Sequence, residues 1–151
     1  MFPILCEGDV VLVKQVDPSQ LLLGDIVAFT RDGDIFIHRY LYKKRAHKIP
    51  FLVTKSDRSL QADPLLATED LLGKVVRIRV NQKEQSVENF HRRILSILIG
   101  GMSIVEVMLS TFYRKSRVKL LLSCSIRKKL QFILRVPKYR IQKLLAHLLL
   151  R

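Results

Sequence analysis

Cysteine is nearly absent. Cys6 and Cys124 are the only two in 151 residues, which excludes a disulfide framework and a Cys-rich zinc site and leaves at most one bridge. There is no Gly-rich phosphate loop, no His-Glu-x-x-His run and no Cys-x-x-Cys pair, so common nucleotide and metal signatures are missing. A zinc site built from Cys6, His38 and His47 has no ligand spacing to support it. Residues 1–20 lack a charged start followed by an apolar core, so no secretory signal peptide is expected there. No internal repeat or low-complexity tract occurs.

Acidic residues run out halfway. Residues 1–80 hold 12 basic and 10 acidic side chains, whereas residues 81–151 hold 15 basic and 3 acidic. The net charge of +14 therefore sits almost wholly in the second half. With 48% hydrophobic residues the chain is too apolar for a disordered basic tail. Two regions follow: a nearly neutral domain over 1–80, and a basic, leucine-rich helical region over 81–151.

The first region is expected to be mainly β. Five runs read as strands: Gly8–Val16, Asp25–Arg31, Asp34–Tyr42, Phe51–Ser56 and Gly73–Val80. Turn signals separate them at Asp17-Pro18-Ser19, Asp32-Gly33-Asp34 and Ala62-Asp63-Pro64. Asp32-Gly33 between two β-rich runs predicts a hairpin. One short helical turn is expected at Thr68–Leu72, and Lys43–Lys48 reads as a solvated hairpin tip around His47. The whole predicts a small barrel or coiled sheet followed by C-terminal α-helices.

Several boxes in this region resemble those of type I signal peptidases. Met1-Phe2-Pro3, then Glu7-Gly8-Asp9-Val10, resembles the family's Ser-Met-x-Pro box and the Gly-Asp that follows. Pro18–Val27 resembles its Pro-x-x-Leu-x-x-Gly-Asp-Ile-Val segment. Ile37-His38-Arg39 resembles its Val-His-Arg box. Thr54-Lys55-Ser56-Asp57, with Asp63 six residues after Asp57, resembles its Thr-Lys-Gly-Asp…Asp box. Gly73-Lys74-Val75-Val76 resembles its closing strand. Five boxes stand in the family's order across residues 1–80, and a histidine where the bacterial type has lysine resembles the endoplasmic-reticulum and archaeal type.

The resemblance implies a peptidase-like β domain and a serine endopeptidase acting on exported or membrane-tethered precursors after small side chains, without a cofactor. It places the nucleophilic serine immediately before Met1, so the chain from Met1 onward is expected to be inactive without it. Met1 and Pro3 would lie beside the substrate and the oxyanion. A serine hydroxyl needs an adjacent base, an imidazole can take and return that proton, and a carboxylate fixes the imidazole's tautomer. His38 is the implied base, Asp63 its orienter and Asp57 a supporting carboxylate. Read without the resemblance, both aspartates are ordinary turn residues. Ser56 stands where the family has glycine, which would strain a turn that needs a glycine conformation.

In the second region, residues 81–90 are polar and read as a linker or the start of a helix. His91-Arg92-Arg93 then precedes Ile94–Phe112, nineteen residues whose single charge is Glu106. That length just crosses a bilayer. Its aliphatic and Phe residues favour insertion by roughly 3–6 kcal/mol, and a central charge opposes it by up to about 3. Basic residues flank both ends, so charge gives no orientation, and a buried or interfacial helix competes with a span. Farther on, Ile141, Leu144, Leu145, Leu148 and Leu149 share one helical face, with Arg140, Lys143, His147 and Arg151 on the other side. Such a segment suits a membrane interface with anionic headgroups. Leucine stripes packed on each other as a helical hairpin are the rival reading. Nucleic acid is disfavoured because aromatic residues for stacking are few.

Three functions remain open: the peptidase, a catalytically inactive peptide- or protein-binding relative at a membrane surface, and a nucleic-acid-associated β domain with a basic tail.

Overall fold

A computed structural model describes residues 8–80 and 83–115. Met1, Pro3 and the amphipathic stripe from Arg140 to Leu149 lie outside the described residues. What is described is a mainly antiparallel β structure followed by one helix, in line with the expected fold class.

The strands are β1 (Val10–Lys14), β2 (Ile26–Arg31), β3 (Asp34–Ala46), β4 (Ile49–Lys55), β5 (Leu66–Ala67), β6 (Leu71–Val80) and β7 (Lys83–Ser86), and the helix is α1 (Phe90–Lys115). They form one sheet in the order β1-β6-β2-β3-β4-β5, with β7 also paired to β6. β6 is long enough to serve three neighbours. Lys74 pairs with both Lys14 and Val27, and farther along Arg77 pairs with both Leu12 and Ser86. Register shifts at Leu12/Val13, Ala28/Phe29 and Tyr40/Tyr42 bend the sheet.

The bend gives β2 a core on each side. Val27 and Phe29 join Leu21, Tyr40, Leu52 and Leu66 on one face, while Ile26 joins Val75, Ile78 and Val87 on the other. A strand buried on both faces reads as a continuous apolar run, as Ile26–Phe29 does.

Both hairpin turns around β3 have positive φ at their two central residues. Asp32 and Gly33 (52° and 86°) form the expected Asp-Gly turn. His47 and Lys48 (50° and 67°) form the second, and the ladder runs up to it through Ala46 and Ile49. The basic stretch Lys43–Ala46 is therefore strand, with only His47-Lys48 as the tip. The stretch read as a linker also changes. Lys83–Ser86 is a strand on β6, held by Glu84 against Arg79 (2.6 Å) and Arg77 (3.5 Å). An exposed, charged side chain such as that of Glu84 suits an edge strand, and the polar sequence hid it. Thr68–Asp70 is the single helical turn expected there, of 3-10 type.

α1 packs on the sheet face that carries Ile26 and Arg39. Gly24 (φ 90°) sits beneath it: a Cβ there would lie 2.1 Å from the Ser96 carbonyl oxygen, so only glycine allows the approach. Asp25 then ties the turn to the helix. Its carboxylate accepts from the Leu22 amide (2.9 Å) and from Arg93 of α1 (2.9 Å).

Candidate functional site

Strand alternation decides where the motif residues go. On β3, Phe36, His38 and Tyr40 face one side of the sheet, and Ile37 and Arg39 face the other. On β4, Thr54 is paired with Tyr40 and Lys55 with Arg39. Each two-residue box, His38-Arg39 and Thr54-Lys55, is thereby split between the two faces.

On the first face His38 meets Asp63. Nδ1 of His38 lies 2.7 Å from Oδ2 of Asp63, and the same oxygen accepts from the Thr54 hydroxyl at 2.8 Å. The Asp63 amide donates to the Thr54 carbonyl (2.9 Å), so the loop after β4 is pinned at the residue that carries the carboxylate. Arg31 holds the next residue by donating to the Pro64 carbonyl (2.9 Å), and its guanidinium lies 5.3 Å from the centre of the Phe29 ring. Phe29 and Phe36 wall the imidazole, with ring centres 5.7 and 6.0 Å away. His38 keeps 20% of its side chain exposed and Asp63 13%, so the pair is sheltered and reachable.

Burial raises the Asp63 carboxyl's pKa. Hydrogen bonds from His38 and Thr54, with the charges of His38 and Arg31, outweigh burial and leave it below the ordinary value. The carboxylate therefore stays ionised beside the imidazole. With Nδ1 turned to Asp63, Nε2 is the nitrogen placed to meet a nucleophile, which is the arrangement a general base requires.

Asp57 is elsewhere. Its two oxygens take a bidentate contact from Arg39, Nε to Oδ1 at 3.0 Å and a terminal nitrogen to Oδ2 at 2.9 Å, and Arg39 also donates to the Gly24 carbonyl (2.8 Å). Side-chain exposure is 0% for Arg39 and 2% for Asp57. Of the three residues expected to act together, the structure brings His38 and Asp63 into contact and seats Asp57 on a sealed arginine. β4 ends at Lys55, and the turn beyond it carries the Asp57 carboxylate to the Arg39 face. Ser56 does not have a positive φ, so serine in the family's glycine position is not strained there. Its hydroxyl accepts from the Arg58 amide at 3.3 Å, within an ordinary serine turn.

Sequence reading assigned no role to Thr54, Arg39, Lys55 or Glu106. Lys55 is fully buried and pairs with Glu106 of α1 at 2.7 Å. A lone charge, Glu106, in the nineteen residues of Ile94–Phe112 was the available signal, since such a charge needs a partner when buried. Among the described residues no group of three or more His, Cys, Asp or Glu is placed to hold a metal ion. Compared with protein-family models, with curated proteins and with solved structures, the chain matches none.

Proposed function

We propose that this chain is a signal-peptidase-like serine endopeptidase domain that works at a membrane surface on exported or tethered precursor peptides. The observation that carries the reading is the 2.7 Å contact between His38 Nδ1 and Asp63 Oδ2, reinforced by Thr54 and left partly open to solvent. The resemblance of the five boxes supplies the nucleophile, a serine directly before Met1.

In this reading the serine hydroxyl attacks the scissile carbonyl while His38 Nε2 takes its proton. The imidazolium is stabilised by Asp63 and returns the proton to the leaving amine. Water then repeats the exchange and frees the acyl group from the serine. Asp57 touches none of these atoms, so its part is to hold Arg39 and the loop. The membrane side of the reading is supported by Phe90–Phe112, a helix long and apolar enough to cross a bilayer, and by the 15 basic residues of 81–151.

The test uses the full chain with a serine placed before Met1 and a precursor peptide with alanine before the scissile bond. His38→Ala should lower cleavage by about 10²–10⁴-fold and leave the circular dichroism spectrum unchanged. Undiminished cleavage by that variant would sink the mechanism. Tight peptide binding without turnover by the serine-bearing parent would instead favour a binding module.

A further inference from the structure

The polarity of α1 is inverted. Its inward face, packed on the sheet, carries Ser96, Gly100, Ser103 and Glu106 beside Leu95 and Ile99. Its outward face carries Phe90, Ile94, Leu98, Val105, Met108 and Phe112, all exposed. A helix on a water-facing surface has the opposite pattern. From Phe90 to Phe112 the outward face runs about 33 Å at 1.5 Å per residue.

We propose, on the membrane-associated reading above, that α1 lies along a lipid bilayer instead of crossing it, with its outward face sunk to the boundary of headgroups and acyl chains. The inward face is already committed. Lys55 reaches Glu106 (2.7 Å), Arg93 reaches Asp25 (2.9 Å), and Gly24 abuts Ser96 and Gly100. A spanning α1 would have to leave the sheet, carry Glu106 into hydrocarbon and strand Lys55 in the core. An in-plane helix keeps every one of these contacts and hides only the apolar side.

Charge selects the occupant. His91 and Arg92 stand at one end of α1, beside the Arg93 that Asp25 already neutralises, and Arg114 and Lys115 stand at the other. A second copy laid on this face would set basic ends against basic ends in either direction. Residues 116–151 carry ten basic and no acidic side chains, so folding them over α1 brings no compensating charge. Anionic headgroups compensate both ends together. Because α1 covers the face opposite His38, lipid on its outer side leaves the His38–Asp63 pair unobstructed. The loop that carries Asp63 still comes round to α1: Gln61 and Ala62 line a recess with Val107, Ser110 and Thr111.

The experiment uses the full chain with Cys6 and Cys124 replaced by serine and a single reporter cysteine at Ile94, Leu98, Val105 or Met108. Each labelled protein is floated with vesicles of phosphatidylcholine and phosphatidylglycerol, and its depth is read by quenchers fixed at different acyl positions. Equal, shallow depths at all four positions are expected. Leu98→Asp, an exposed change that spares the core, should weaken partitioning by tenfold or more. Depth that passes through the bilayer centre, with Ile94 and Met108 toward opposite leaflets, would overturn the in-plane geometry. Flotation without quenching at any position, or undiminished partitioning of Leu98→Asp, would overturn α1 as the anchor while membrane association stands. Failure to float at all would remove both.

Discussion

The two faces of the sheet hold two acid–base layers built from neighbouring residues. On one, His38, Asp63 and Thr54 form a partly open cluster. On the other, Arg39 with Asp57 and Lys55 with Glu106 form sealed ion pairs. His38 is followed directly by Arg39 and Thr54 by Lys55, so two members of the first layer are chain neighbours of two members of the second. The difference lies in what each cation can do. An imidazole changes its charge between about pH 5 and 8, so a carboxylate beside it can assist proton transfer. A guanidinium stays charged, so a carboxylate bound to it can only be scaffold. Within one motif, alternation therefore allots chemistry to one residue and architecture to the next.

That division can be broken by separating activity from stability. The largest expected effect is on turnover: with a serine placed before Met1, Asp63→Asn should lower cleavage by about 10³–10⁴-fold and move thermal unfolding little. Next comes Asp57→Ala, which strands a fully buried arginine and should cost about 3–5 kcal/mol of folding free energy, read from the urea midpoint. Cleavage per folded molecule should survive. If Asp57→Ala instead silenced fully folded protein, the two aspartates would share one task and the comparison would collapse.

The smallest effect sharpens the first layer. Thr54→Val removes a hydrogen bond that holds the Asp63 carboxyl below its ordinary pKa, and should cost about 1 kcal/mol near neutral pH. The folded pKa of Asp63 is depressed, so its contribution to stability is present above the unfolded value and is lost as pH falls through the folded one. Losing the Thr54 bond raises the folded value and shrinks that contribution. The acid-unfolding midpoint of Thr54→Val should therefore lie at higher pH than the parent's; an unmoved midpoint would show that Thr54 does not tune Asp63.

How much of this was legible depended on whether the signal was local. Asp32-Gly33 announces its turn because aspartate and glycine tolerate positive φ, and the structure has it. His47-Lys48 adopts the same geometry with residues that seldom do, driven by the β3–β4 ladder on either side. β7 was illegible because Lys83–Ser86 has no apolar alternation; a backbone ladder to β6 places it, with Glu84 beside exposed arginines. The meeting of His38 and Asp63 could be named from the boxes. The separation of Asp57 could not, because which side of a sheet a loop residue reaches is not written in its neighbours. Nor could the inversion of α1, since an apolar stretch does not say which of its sides will find a fold and which will not.

The contact between Gly24 and Gly100 works like a machined joint with no clearance. A methyl group on Gly100 would press within 3.0 Å of the Gly24 backbone, so the spacing between turn and helix is that of two bare backbones. Everything hung from α1 inherits that tolerance. Glu106 follows Gly100 by under two turns, and its carboxylate meets Lys55 at 2.7 Å because the joint sets how high the helix rides. Two missing side chains thus act as a gauge block for an ion pair to which neither contributes an atom.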